Sequence, residues 1–203
     1  QRLSLRSKNI ETALIPHQLT LTATPIPRTM AMSVYANMDI SIIDELPPGR
    51  LPIQTTSLGM KKKEQLISRI EQACLKGSQV YWVCALIEES ELMNANPVEE
   101  TYEQIIKQIP SITCSFLHGK MKADEKLNTI NEFKNGKTQI MVSTTVIEVG
   151  VDVPDADIMI IENAERFGLA QLHQLRGRIG RGSKQSHCIL LHNESVGEIA
   201  HQR

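Results

Sequence analysis

The chain has 203 residues, with 22 Lys+Arg against 23 Asp+Glu, 41% hydrophobic and 22% charged, the proportions of an ordinary globular protein. That length holds one large α/β unit, or one domain and part of another, and the net charge of −1 exerts no global pull on a polyanion while leaving room for a local basic strip. No apolar run of about 18 residues exists to span a membrane, and aromatics at 3% are too few for a broad base-stacking platform, so any nucleic-acid contact would run through the phosphate backbone.

No basic-then-apolar leader opens the sequence, and its start at Gln1 and stop at Arg203 within a polar, helix-like run read as an excised fragment. Cys74, Cys84, Cys114 and Cys188 are far apart with no CxxC pair, which argues against zinc or a disulfide framework. Each lies in or beside an apolar stretch, as a small buried hydrophobe does in a reducing, cytoplasmic setting.

Short β-branched runs alternate with amphipathic stretches, the pattern of a parallel sheet covered by helices. In chain order the strands are expected at Leu19–Ala23, Ile53–Leu58, Gln79–Cys84, Ile112–Leu117, Gln139–Ser143, Asp157–Ile161 and His187–Leu191. Their near-continuous apolar character suits burial on both faces. Leu66, Ile70, Ala73 and Cys74 share one face of a helix ending near Gly77, and Leu127, Ile130 and Phe133 do so for a helix that stops at Asn135-Gly136. Glu88–Glu100 is too polar for either class and reads as an exposed loop or frayed helix end. Leu46-Pro47-Pro48-Gly49-Arg50 can continue neither a helix nor a central strand, so it reads as a linker. The expected division is therefore a domain tail over 1–45, a linker over 46–52 and an α/β domain over 53–203.

Two segments imitate an ATP-binding core. Gly136-Lys137-Thr138 resembles the end of a phosphate loop, but the first glycine of that motif would fall on Asn131, and a strand rather than a helix follows. A turn is the better reading. Ile42-Ile43-Asp44-Glu45 ends in two carboxylates like a magnesium-holding strand, yet it leads directly into the proline linker, and solvated carboxylates are expected there.

The richest segment is 171–182, QLHQLRGRIGRG. It opens helically and then sets Arg176, Arg178 and Arg181 within six residues, interleaved with Gly177, Gly180 and Gly182. Guanidiniums at that density repel one another unless an anion lies among them, and glycines permit the close backbone approach that a phosphate needs. Gln174, Gly177, Arg178, Gly180 and Arg181 meet the spacing Q-x-x-G-R-x-G-R, the arginine-finger motif of superfamily 2 helicases.

A second element, 143–154, delivers Thr144 and Thr145 at the carboxyl end of a buried strand, where open parallel sheets place ligands and where hydroxyls and N–H groups can grip a phosphodiester without reading bases. Seven residues after Thr145, Asp152 follows the flexible Gly150 and can return toward a nucleotide. A third, 22–28, places Thr22 and Thr24 at a strand end that Pro25 and Pro27 stiffen, with Arg28 beyond. In a fourth, 116–121, His118-Gly119 ends a strand where backbone phosphate could approach.

In this order the segments resemble the RecG family of ATP-dependent branched-DNA helicases. The resemblance covers almost the whole chain: TATPIPRTMAMSVYANMDISIIDELPPGR (22–50), YWVCALIEESE (81–91), LHGKMK (117–122), STTVIEVGVDVPDADIMIIENAERFGLAQLHQLRGRIGRG (143–182) and HCILL (187–191). The translocase that couples transcription to repair shares TATPIPR and the arginine motif, whereas the DELPPGR and AERFGLAQLHQLRGR runs look more like RecG.

The resemblance implies an α/β fold: a RecA-like helicase C-terminal domain, mostly parallel sheet with helices on both faces, preceded by the tail of a first RecA-like domain. It implies ATP and Mg2+, both held mainly by that first domain. Arg178 and Arg181 would be the catalytic fingers, with Gln174, Gly150 and Asp152 at the nucleotide. Thr144, Thr145, His118 and Gly119 would hold DNA, and Thr22, Thr24 and Arg28 would couple cleft closure to DNA movement. No metal ligand is expected in this chain. The implied partners are branched double-stranded DNA, the rest of the same polypeptide and a single-stranded-DNA-binding protein. A fragment lacking the phosphate loop would not hydrolyse ATP by itself. The alternatives are the motor of a transcription-repair coupling translocase and a catalytically silent nucleic-acid- or protein-binding module.

Overall fold

The structure is a computed structural model and describes residues 19, 21, 41–45, 49–85, 97–144, 156–180, 182 and 184–193. The chain divides into two compact units, Gln1–Ser41 and Ile42–Arg203, and every element below belongs to the second. Of the strand expected at Leu19–Ala23 only Leu19 and Leu21 are described, both exposed and outside any strand.

The second unit carries β1 (Gln54–Gly59), α1 (Lys63–Leu75), β2 (Gln79–Cys84), α2 (Pro97–Gln108), β3 (Cys114–Leu117), α3 (Ala123–Lys134), β4 (Ile140–Ser143), β5 (Ala156–Glu162), α4 (Leu169–Arg176) and β6 (His187–His192). The six strands form one sheet in the order β1-β6-β5-β2-β4-β3, and every neighbouring pair is parallel. The predicted strands from residue 53 onward each reappear within two residues at either end.

Burial explains the pattern. The central strands β2, β4 and β5 are buried at every position, as their uninterrupted apolar sequences demand. The edge strand β1 is exposed over Gln54–Ser57, which accounts for its polar QTTS run. Alternate side chains serve opposite faces. Tyr81, Val83, Met141, Met159 and Ile161 pack with Phe133 of α3 and Leu175 of α4. Val80, Trp82, Val142 and Ile160 pack with Ile67 and Ile70 of α1 and Val98 and Ile105 of α2. Helices thus cover both faces, two on each.

Glu88–Glu100, expected as an exposed loop or a frayed helix end, is a helix end where it is described. Residues 97–100 are not loop but the first turn of α2, and 88–96 lie outside the described residues. Proline is tolerated at Pro97 because a first-turn N–H has no helical partner, Glu99 and Glu100 favour the positive end of the helix dipole, and Val98 is fully buried. In α3 the expected apolar face is narrower than the spacing implied: Phe133 is buried and Ile130 half-buried, but Leu127 is exposed. Gly77 and Gly136 end their helices at φ +86° and +70°, a region where a side chain would be strained, so both predicted stops fall where glycine is required. Gly136-Lys137-Thr138 is a turn, and Asp44 and Glu45 are exposed, as expected for both imitations of an ATP-binding core.

Candidate functional site

Helix α4 opens with the Gly168 N–H donating to Gln171 Oε1 at 3.1 Å. Leu175 and Ile179, four residues apart, are fully buried and fasten the helix and the turn after it to the sheet. Gln174 therefore lies exposed and Arg178 half-buried at the rim. The helix closes as Gly177 N–H donates to His173 O at 3.0 Å and Arg178 N–H to Leu175 O at 2.9 Å. Gly180 then takes φ +75°. A Cβ there would lie 3.0 Å from Ile53 Cγ1, so the loop rests directly on the residue that precedes β1.

Four further hydrogen bonds tie this loop to the start of the sheet. Arg50 donates through Nε to Gly180 O at 2.9 Å and through Nη2 to Ile179 O at 3.3 Å. Gln185 Nε2 donates to Pro52 O at 2.7 Å, and Gln54 N–H to Ser186 O at 2.9 Å. The loop bearing Arg178 is thereby fixed at the amino ends of β1 and β6.

The second group of expected site residues lies at the carboxyl ends of β3 and β4. Here the chain crosses from β4 on one side of β2 to β5 on the other, the kind of switch in strand order beside which open α/β sheets bind ligands. Thr144 N–H donates to Leu117 O at 3.3 Å, which sets Thr144 beside His118. Ser143 Oγ, Thr144 Oγ1 and His118 Nδ1 are buried without a hydrogen-bond partner among the described residues. The other ring nitrogen of His118 lies 3.4 Å from Glu99 Oε1, and its ring stacks on Phe116 at 5.8 Å. Gly119 is exposed, and its carbonyl accepts from Lys126 Nζ at 2.6 Å.

The structure thus brings Thr144, His118 and Gly119 together and sets Gln174 and Arg178 together elsewhere. Because all strands run the same way, the two groups occupy opposite ends of the sheet. Thr22, Thr24, Arg28, Thr145, Gly150, Asp152 and Arg181 lie outside the described residues.

Two features carry no signal in the sequence. One is Arg50, whose carbonyl partners are 130 and 129 residues away. The other is a buried polar network at the carboxyl end of β5. Glu162 accepts from Lys63 Nζ at 2.7 Å and from Trp82 Nε1 at 2.8 Å, while the Thr101 hydroxyl donates to it at 3.3 Å. The ammonium group of Lys63 also stands 5.6 Å from the Trp82 ring centroid.

The four thiols do not form a reactive site. Burial pushes Cys74, Cys84 and Cys114 up to about 12 and Cys188 to about 11, so each stays protonated and poorly nucleophilic near neutrality.

Residues 61–183 match the family described as helicase conserved C-terminal domain. The ATP-dependent DNA helicase RecG of Haemophilus influenzae is 50% identical over 204 residues, covering 100% of this chain and 29% of that protein. RecG of Escherichia coli K12 is 52% identical with the same coverage. RecG of Aquifex aeolicus is 52% identical over 88% of this chain and 22% of its own length. This chain therefore spans under a third of the length of the relatives it matches. Among solved structures, RecG bound to a three-way DNA junction superposes with a TM-score of 0.73 at 44% identity, covering 89% of this chain and 23% of that one. Yeast Dbp5 bound to RNA and ADP BeF3 shares the fold, with a TM-score of 0.54 at 16% identity over 83% of this chain and 42% of that one.

Proposed function

Since the chain belongs to the helicase conserved C-terminal domain family, with RecG proteins among its relatives, we propose that it is the second motor domain of an ATP-dependent helicase that remodels branched DNA in recombination and repair. Residues 1–45 would end the first RecA-like domain, 46–52 would link the two, and 53–203 would form the second. The observation that carries this reading is the separation of the two groups of expected site residues: the loop bearing Arg178 at the amino ends of the strands, and Thr144, His118 and Gly119 at the carboxyl ends. A motor that turns nucleotide state into DNA movement needs two such ends on one rigid body.

Gln174 and Arg178 suit an anionic ligand, since one presents an exposed amide and the other a half-buried guanidinium on a braced loop. ATP bound with Mg2+ against the neighbouring domain would supply the γ-phosphoryl group whose transfer to water drives the cycle. Arg178 and Arg181 would meet the negative charge that builds on the transferring oxygens. A guanidinium held ready in a dry cleft strengthens at the transition state and needs no reorganisation there. Gln174, Gly150 and Asp152 would contact the nucleotide or orient the fingers. At the other end, Thr144, Thr145, His118 and Gly119 would hold the phosphate backbone of the DNA, whose branched duplex form is the expected partner. Thr22, Thr24 and Arg28 would pass cleft closure to the DNA.

The test is Arg178→Ala in the full-length protein. DNA-stimulated ATP turnover should fall by about 10³-fold or more, while affinity for a synthetic three-way junction changes by less than about threefold, because this loop lies away from the strand ends assigned to DNA. Near-normal turnover would remove the finger assignment and the motor reading with it.

A further inference from the structure

We infer that Arg50 is a positioning residue through which the interdomain linker sets the place of the arginine fingers. The inference rests on the motor reading above and adds a residue that no motif in the finger segment contains. Arg50 closes the Leu46-Pro47-Pro48-Gly49-Arg50 run within the 46–52 linker, and Gly49 before it turns the chain at φ +81°. Its half-buried guanidinium donates to two successive carbonyl oxygens, those of Ile179 and Gly180. These are the residues between Arg178 and Arg181 in the sequence, so Arg50 holds the backbone that carries the fingers without being one itself.

The fit is specific to arginine. A planar guanidinium offers two donors at fixed spacing to two neighbouring acceptors, whereas an ammonium group on a flexible stem offers one mobile point of charge. The partner is equally specialised. Gly180 has φ +75°, and a Cβ there would lie only 3.0 Å from Ile53 Cγ1, so the loop is pressed onto the stretch of chain that Arg50 begins. On its other side the loop is fixed through Ile179, which is fully buried, and through the close of α4. Little slack remains between the linker and Arg178. A change in the path by which the linker reaches Arg50 acts on the carbonyls at 179 and 180 and hence on the fingers. Nucleotide-driven closure would thus set the fingers by a mechanical route as well as by contact with phosphate.

The experiment uses the full-length protein with Arg50→Ala, Arg50→Lys and, as a control, Arg178→Ala. The readouts are kcat and KM for ATP with DNA, affinity for ADP and for ADP with aluminium fluoride, and the thermal midpoint. Misplacing a catalytic group by about 1 Å can cost on the order of 10²-fold. Arg50→Ala should therefore lower kcat and aluminium-fluoride-dependent affinity by about 10- to 100-fold, with KM and ADP affinity within about twofold. Arg50→Lys should fall between Arg50→Ala and the unaltered protein. If Arg178→Ala is impaired but Arg50→Ala turns over normally, the positioning role is wrong and the motor reading stands. Parallel loss of both affinities with a lowered midpoint would make Arg50 merely structural and overturn the inference. Normal turnover by Arg178→Ala would instead overturn the reading beneath it.

Discussion

The carboxyl ends of β5 and β4 lie on either side of β2 in the same sheet, yet Glu162 at the first and the hydroxyls at the second are treated in opposite ways. At the end of β5, the Glu162 carboxylate is surrounded by the ammonium of Lys63, the indole N–H of Trp82 and the hydroxyl of Thr101, and each of its oxygens is bonded. At the end of β4, Ser143 and Thr144 bury hydroxyls with no partner among the described residues, and His118 on β3's exit buries a ring nitrogen in the same way. Leaving a buried polar group unbonded costs about 1–3 kcal/mol, so a group of them at one strand end calls for an explanation. The first end is scaffold. The second is the end assigned to DNA.

Breaking the β5 end should have the largest effect on stability. Glu162→Ala leaves Lys63, with its side chain 13% exposed, without a carboxylate partner and with only the longer hydrogen bond it donates to the Thr101 hydroxyl at 3.4 Å. Removing one partner of a buried pair costs about 3–5 kcal/mol, and here the lower value applies because Lys63 can swing its head toward solvent. Urea denaturation should register a loss of about 3 kcal/mol, while affinity for a three-way junction at a temperature where the variant is folded stays unchanged. A loss below about 1 kcal/mol would mean that the network is not scaffold.

The same region contains a smaller, pH-dependent effect. Cys84 ends β2 beside this network, and burial first, then the Glu162 carboxylate, pushes its thiol up to about 12. An unfolded thiol ionises near 8.5. Above that pH the unfolded chain releases a proton that the folded chain keeps, so the native state binds more protons and stability falls as pH rises toward 12. Below 8.5 the contribution is whole. One pH unit above the unfolded value the loss is about 1.4 kcal/mol for each such thiol. Urea midpoints measured at pH 8 and pH 10 should therefore diverge, and Cys84→Ala should reduce the divergence. Identical slopes with and without the thiol would show that Cys84 does not remain protonated in the fold.

What the sequence reveals divides along similar lines. The central strands are legible because burial on both faces forces uninterrupted apolar runs, and the helix stops at Gly77 and Gly136 because only glycine accommodates those φ angles cheaply. The first turn of α2 is hidden by its Pro and two Glu residues, which look like loop composition although each suits a helix start. The arginine-glycine spacing is legible because it is local. Arg50's grip on residues 179 and 180 and Lys63's on Glu162 are not, since each joins residues about a hundred or more apart and depends on strand order, which no spacing encodes.

The smallest stability effect belongs to the β4 end, and it separates the two ends most sharply. Thr144→Val keeps the β-branched shape and removes a hydroxyl that bonds nothing described in the fold. Deleting a polar atom that was buried without a partner removes a penalty rather than a bond, so stability should stay within about 0.5 kcal/mol of the unaltered protein or rise slightly. The loss should appear in function: in the full-length protein, stimulation of ATP turnover by a three-way junction should drop by about tenfold, equivalent to about 1.4 kcal/mol of interaction with the phosphate backbone. Ser143→Ala, one residue earlier on the strand, should be equally benign to stability. If Thr144→Val instead destabilises by more than about 1.5 kcal/mol and leaves DNA stimulation intact, the hydroxyl serves the fold in solution. The carboxyl ends of β5 and β4 would then be alike, and the DNA grip would have to be sought on other residues.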